Sequence, residues 1–277
     1  MGSRRYLNVK KYRSLIEAGF IADGMTCTAP NSLASRMLRK GIGLLYRFNK
    51  WWHIKWAQIC VRNRLAHVAM VQDRSRLDGG LVGDYQFMRL WELWQILQWL
   101  RPQNALELGS GASSAVFANY FRDASKFTTV EESHKWRERT LEALGSYTSY
   151  VTCLLASRCI TSLDSEIVCH YDMDHTGYWD LVYVDGPTNI APDGLLSVDG
   201  KTPHLANADV ELFWKNGQYP RFIVVDGRRN TVRRFILSGS NYYHVLLKTD
   251  YLPRTSLFEA LSFRYHTLLL RCLPSGQ

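Results

Sequence analysis

The alternation of apolar and polar residues changes character twice along this chain. From Arg36 to Met70 apolar residues recur at steps of three and four: Ile42, Leu45, Phe48, Trp52, Trp56 and Ile59. That spacing predicts a helix. Arg47, Lys50, Lys55, Gln58 and Arg62 fill other positions, and Trp51 beside Trp52 widens the apolar face. Residues 1–35 lack such order and read as an irregular leader. A glycine-rich stretch over 77–83 predicts a loop. A second helix is predicted over 84–100, with Phe87, Leu90, Trp91, Trp94, Leu97 and Leu100 on one broad face, and Pro102 ends it. Beyond it, short apolar runs alternate with helical patterns. Strands are predicted near 105–108, 127–131, 150–155, 181–185, 222–226, 242–248 and 264–271. Helices are predicted near 113–121, 133–144, 160–167, 206–216 and 229–238. Such alternation implies a mostly parallel sheet with helices on both faces. Only a loop containing Pro253 separates the last two strands, so one of them is expected to run antiparallel. The predicted fold class is therefore α/β. It is a doubly wound, seven-stranded, mostly parallel sheet with a terminal antiparallel pair and a basic helical N-terminal extension.

The first predicted strand leads into Glu107-Leu-Gly109-Ser110-Gly111-Ala-Ser113-Ser114. Glycines at a strand-to-helix turn let the backbone approach a ligand with no Cβ in the way. The second strand ends at Glu131, 22 residues after Gly109. That is near the spacing at which a carboxylate after the second strand reaches a ribose hydroxyl. The pair points to a nucleoside-containing ligand. Glu107, Glu131, Asp185 and Asp226 are all expected at the carboxyl edge of the sheet, where ligands of open α/β sheets bind. Four carboxylates there suit a cation better than a pyrophosphate.

These features resemble the class I S-adenosylmethionine-dependent methyltransferases over roughly residues 84–272. Glu107 to Ser114 looks like the family's first motif. Thr129-Val130-Glu131 with Trp136 looks like the second, and Trp179-Asp180-Leu-Val-Tyr-Val-Asp185-Gly186-Pro187 like the fourth. The charge distribution and the loop over 77–83 divide the chain into an extension over 1–76 and a domain over 77–277, and the resemblance implies that this domain is a Rossmann-like methyltransferase with S-adenosylmethionine as cofactor. It implies that Gly109, Ser110, Gly111 and Ser113 border the methionine part of that cofactor. Glu107 would hold its ammonium group and Glu131 its ribose. Ser157 or Arg158 would lie near adenine.

Methyl transfer to a hydroxyl needs alignment and a proton acceptor. Asp185 is the first candidate, as base or orienting group, with Asp226 as its neighbour. The two aspartates could also share a divalent metal such as Mg2+. Catechol-type relatives carry Asn directly after the second Asp, whereas here Gly227 holds that place and Asn230 follows three residues later. Asp-Gly-Pro also resembles methyltransferases that act on sugar hydroxyls, which makes a small-molecule or glycan acceptor the expected substrate. Arg228 and Arg229 could fork onto an anionic acceptor such as a uronate or phosphate, or be plain surface charge. The long connection from Gly186 to Ala206 reads as a lid or binding loop. It carries Asn189 and His204, the latter an alternative base or an ordinary surface histidine. His170-Tyr-Asp172-Met-Asp174-His175 has the composition of a metal cluster. It precedes the fourth strand, so it is expected at the edge opposite the cofactor.

The net charge of +9 is unevenly placed: residues 1–76 hold 15 Lys/Arg against 3 Asp/Glu. The basic character thus belongs to the extension. Its helix either packs its aromatic stripe on the main domain or lies on a membrane surface through residues 36–70. Nucleic acid is not the expected substrate, since no Asn/Asp-Pro-Pro-Tyr/Phe motif occurs. Six cysteines without a CxxC pair suggest reduced thiols in a cytoplasmic protein. That protein could be peripheral at the inner face of a membrane. No secretory signal or membrane-spanning helix is expected. Two other readings stand beside the methyltransferase. One is an NAD-type oxidoreductase, favoured by the glycines and Glu131. The other is a non-catalytic membrane- or partner-binding protein on a degenerate Rossmann scaffold.

Overall fold

In the computed structural model the described residues are Phe48, 51–77, 85–191, 204–239, 242–248 and 268–272. The expected leader over 1–35 lies outside them. The chain enters as a helix over 51–64 (α1), breaks at Leu65 and continues as α2 (Ala66–Leu77). Helix α3 (Tyr85–Leu100) leads to β1 (Ala105–Leu108), α4 (Ala112–Phe121), β2 (Phe127–Glu131), α5 (His134–Leu144) and β3 (Thr152–Leu155). A hairpin of β4 (Arg158–Leu163) and β5 (Glu166–Tyr171) follows, then β6 (Leu181–Val184), β7 (Ala206–Asn207) and α6 (Asp209–Lys215). The chain ends in β8 (Phe222–Val225), α7 (Arg229–Ser238), β9 (Tyr243–Lys248) and β10 (Leu268–Cys272).

The central sheet runs β3-β2-β1-β6-β8-β10-β9. Strands β3, β2, β1, β6 and β8 pair in parallel, and β10 lies antiparallel to both β8 and β9. Strand order reverses between β1 and β6, so their carboxyl ends flank the crevice where ligands of this architecture bind.

Alternate residues of each strand feed two cores, as a period of two requires. One face buries Ala105, Phe127, Leu181, Tyr183, Phe222 and Val224 against α3 and α4. The other buries Leu106, Leu108, Val130, Val182, Val184, Ile223 and Val225 against Val210, Phe213, Val232, Phe235 and Ile236 of α6 and α7. Strands β1, β6 and β8 are buried at every position. That explains why β6 and β8 read as unbroken apolar runs and β1 as one broken only by Glu107.

One expectation changes. The helix predicted over 160–167 is the β4–β5 hairpin, which adds a small sheet of order β4-β5-β7. Asp164 and Ser165 carry left-handed φ values of 51° and 67° at its tip. A two-residue turn of that hand matches strand twist and favours a hairpin over a helix. The described helices before residue 77 share the main core. Val61, Leu65, Val68, Ala69 and Val71 are buried in the same cluster as α3 and α4. Among the described residues five cysteines are present, all as free thiols.

This packing makes the helices before residue 77 part of the sheet's stability. Leu65→Ala should cost about 2–4 kcal/mol, read as a lower urea midpoint of one cooperative transition. An unchanged midpoint would show that this stretch is an independent appendage.

Candidate functional site

The carboxyl ends of β1 and β6 meet through two glycines. A Cβ built on Gly109 (φ 97°) would lie 2.7 Å from Gly186 N and 2.9 Å from the Asp185 carbonyl carbon. A Cβ on Gly186 would meet Gly109 Cα at 2.6 Å and collide with the Tyr171 hydroxyl. Gly109 is therefore required by the approach of the chain to itself. Gly111 behaves differently, because nothing lies within 4 Å of the place its Cβ would occupy. Of the two motif glycines, Gly111 borders open space.

Behind this turn Glu107 is fully buried. The Ser114 hydroxyl donates to its Oε2 and accepts from Gly111 N at 3.0 Å. Its Oε1 has no hydrogen-bond partner, and neither does the hydroxyl of Thr129, opposite it on β2. Burial pushes the Glu107 carboxyl up to about 7, against the opposing effects of nearby hydroxyls and the Arg89 charge.

Glu131 at the end of β2 is held by the chain on both oxygens. Ser110 donates to Oε2 from its backbone N (3.1 Å) and its hydroxyl (2.8 Å). The backbone N–H groups of Glu132 and Ser133 donate to Oε1 at 3.0 and 3.1 Å. Trp136 Nε1 closes the turn by donating to the Ser110 carbonyl at 3.0 Å. The Ser110 hydroxyl thus stands where a ribose hydroxyl is expected, with Thr140 Oγ1 3.2 Å away on its other side.

Asp185 and Asp226 end the neighbouring strands β6 and β8, as expected, and a third residue joins them. Arg89 of α3 pairs with Asp185 Oδ2 through Nη2 and with Asp226 Oδ2 through Nε at 2.6 Å. Its Nη2 also donates to the Ser113 hydroxyl at 3.3 Å. Tyr183 donates its hydroxyl to Asp226 Oδ2 at 2.8 Å. Where a shared divalent metal was expected, a guanidinium bridges the two carboxylates and balances one of their two charges, while Asp226 Oδ1 has no hydrogen-bond partner among the described residues. Asp226 is the inner group at 3% exposure and Asp185 the outer at 31%. Burial and the Asp226 charge push the Asp185 carboxyl up, while Arg89 and Arg228 pull it down.

The other candidates are engaged elsewhere. Arg228 donates to the carbonyls of Asp185 and Pro187, the latter at 2.6 Å, across the cis Gly186–Pro187 bond. Arg158 donates to the carbonyls of Thr188 and Ile190 at 2.8 Å each, and Glu132 accepts from Thr188 N at 3.0 Å. Residues 185–190 thus form a strap stapled over the ends of β2, β4 and β8. Each guanidinium satisfies carbonyls the strap would otherwise leave open. Asn189 accepts from Leu205 N on its carbonyl (2.6 Å), and its Oδ1 lies 3.4 Å from His204 Nδ1. His204 lines a separate cleft of about 610 Å³ with Asp164, Glu166, Arg233 and Arg234. Asn230 donates to the His204 carbonyl beside that cleft and also lines it. Ser157 is exposed, and its carbonyl accepts from Asp172 N. The side chain of Arg229 and residues 192–203 of the expected lid lie outside the described residues.

His170 and His175 group with Asp209 at the start of α6 rather than with Asp172 or Asp174. His175 Nε2 lies 2.8 Å from Asp209 Oδ1. Asn207 bonds Asp209 and also donates to the Gly186 carbonyl at 3.0 Å. This polar group stands directly behind the strap, not at the far edge. Tyr171 N donates to Asp209 Oδ1 at 2.9 Å, so three donors hold the carboxylate without an ion.

The two glycines should separate by experiment. Gly109→Ala should cost about 2–3 kcal/mol, from left-handed strain and backbone overlap. Gly111→Ala should stay within about 0.5 kcal/mol of the parent. Equal urea midpoints for the two variants would refute this division of roles.

No protein-family model matches the chain, and no curated protein matches it. Among solved structures it is similar to a methyltransferase from Geobacter sulfurreducens: 14% identity over 76% of this chain and 89% of that one, TM-score 0.44. It is similar at 14% identity to the SAH-bound Podospora anserina methyltransferase PaMTH1, over 99% and 100% of the two chains, TM-score 0.39. The SAM-bound O-methyltransferase TomG from Streptomyces achromogenes, of tomaymycin synthesis, matches at 14% over 76% and 90%, TM-score 0.42. At this likeness neither cofactor nor substrate passes to this chain. The strand order and the reversed β10, read from the chain itself, are those of the class I methyltransferase fold.

Proposed function

We propose that the protein binds S-adenosylmethionine at the β1–β2 edge and transfers its methyl group to a hydroxyl presented at Asp185. The observation that carries this reading is Glu107. A buried carboxylate with an orphaned oxygen is costly unless a donor meets it. It sits behind a turn whose Gly111 leaves room for a ligand. An ammonium group delivered into that room supplies both the missing donor and the missing charge. Glu131 would take the ribose hydroxyls once the Ser110 hydroxyl turns toward Thr140.

The cofactor supplies an electrophilic methyl on a sulfonium. Every other step belongs to the chain. Asp185 is the outer, more exposed carboxylate, so it is the one an acceptor hydroxyl can reach. Its raised pKa makes it a better proton acceptor than an ordinary aspartate. Arg89 fixes its orientation, and Tyr183 with Asp226 fixes Arg89. With that cofactor bound, Asp185 would take the proton that the acceptor hydroxyl gives up on methylation. A glycan or small-molecule hydroxyl fits this chemistry. An anionic acceptor gains no support from Arg228, whose guanidinium faces the strap.

Calorimetric titration with S-adenosylmethionine and S-adenosylhomocysteine tests the reading. Micromolar binding, unchanged by a chelator, is expected; absence of binding to both would overturn it. Asp185→Asn should leave that affinity within about threefold and lower methyl transfer by about 100-fold or more, measured with labelled methyl on a panel of sugar hydroxyls.

Glu107 adds a pH signature. Its folded pKa of about 7 exceeds the ordinary 4.5. Between those values the folded chain holds a proton that the unfolded chain has lost. Stability therefore falls as pH rises across that window and levels off above it. Glu107→Gln should flatten the fall in urea stability. A cation at Oε1 favours the carboxylate, so cofactor binding should release a proton near neutral pH and tighten as pH rises toward 7. Titration in two buffers of different ionisation heat reads that proton directly; none released by the parent protein would remove Glu107 from the cofactor site.

A further inference from the structure

Helix α1 is apolar on two faces, and only one of them meets the protein. Ala57, Cys60 and Val61 are buried, and Val61 belongs to the main core. The aromatic stripe recognised in the sequence is a different face. Phe48, Trp52, Trp56 and Ile59 follow one another at helical steps of four, four and three, and each is more than half exposed. Trp51 beside them is more than half exposed too. Because the opposite face is locked into the core, the stripe cannot turn inward. Of the two packing readings open at the sequence level, the inward one is therefore excluded for these four residues.

A contiguous exposed stripe of large apolar residues marks a contact surface. Its setting points to the chemistry of what it contacts. Lys55 lies within the helix, Arg62 follows it exposed and ion-paired to Asp73, Arg64 stacks on Trp91 away from the stripe, and the first 76 residues hold 15 Lys/Arg against 3 Asp/Glu. Tryptophan is the side chain that prefers the headgroup level of a bilayer, where the ring is buried and the indole N–H stays wet. Basic residues beside it attract anionic headgroups. No helix among the described residues is long and apolar enough to cross a membrane. We propose that the outward face of α1 rests on an anionic lipid surface, in the plane of the headgroups, with the sheet domain carried on its inner face.

The test uses the full chain and sedimentation with vesicles of phosphatidylcholine, alone or with about 30 mol% phosphatidylserine. Binding to the anionic vesicles should be about tenfold or more tighter than to the neutral ones, and high salt should weaken it. The double change Trp52→Ser with Trp56→Ser should reduce that binding about tenfold or more, with an unchanged thermal unfolding midpoint, since both side chains are exposed. Equal binding to both vesicle types, or full binding by the double variant, overturns the proposal. So does a parent dimer that the double variant dissolves in sedimentation velocity, which would identify a second copy of the chain as the occupant. Displacement of the protein from vesicles by a single-stranded oligonucleotide would assign the surface to nucleic acid instead.

Discussion

Two α-carbons facing each other at the switch point set the geometry of the whole carboxyl edge. Gly109 and Gly186 come close enough that a methyl group on either would strike the other's backbone. This approach brings the turn after β1 and the strap after β6 onto one line. The fixings on the strap then follow. Arg228 reaches it from β8, Arg158 from the hairpin, Glu132 from β2 and Asn207 from β7. A wider separation would leave those side chains facing water instead of the strap. The close approach is affordable only because both residues lack a side chain.

The second constraint is electrostatic. Two aspartates at adjacent strand ends would repel each other in a site shielded from water. One guanidinium resolves this by meeting both, and a tyrosine hydroxyl secures the inner one. The same guanidinium stands between the two carboxylates that a shared metal would bridge. It also leaves the two carboxylates unequal, one buried and braced, the other at the mouth. Unequal carboxylates suit an acid–base role, because only the outer one can meet an acceptor.

Much of the scaffold was legible in the sequence. Strands β1, β2, β6 and β8 follow from short apolar runs, and the reversed terminal strand from a connection too short for a crossover. Glu107, Glu131, Asp185 and Asp226 were placed at one edge because strand ends are readable. What such residues face was not readable. Arg158 and Arg228 lie near the expected edge, yet they point at backbone carbonyls that no spacing rule reveals. Arg89 was missed because an arginine inside a predicted helix reads as surface charge. Its one signal is its position between Met88 and Leu90 on a helix that is otherwise apolar there. The hairpin at 158–171 was misread for a different reason. Apolar residues at 160, 163 and 167 recur at the helical steps of three and four, and the turn at Asp164-Ser165 lacks the glycine that usually announces it.

Arg89 belongs to a helix that precedes the first strand, whereas the carboxylates it balances belong to the sheet. The αβ unit from β1 onward is therefore not a self-contained module. Excised, it would present two bare aspartates side by side and would have to take up a proton or a counterion to close. The helices before β1 supply the charge that lets the site exist at neutral pH. Recombination that swapped this N-terminal part for another would preserve the sheet's topology and still erase the chemistry at its edge.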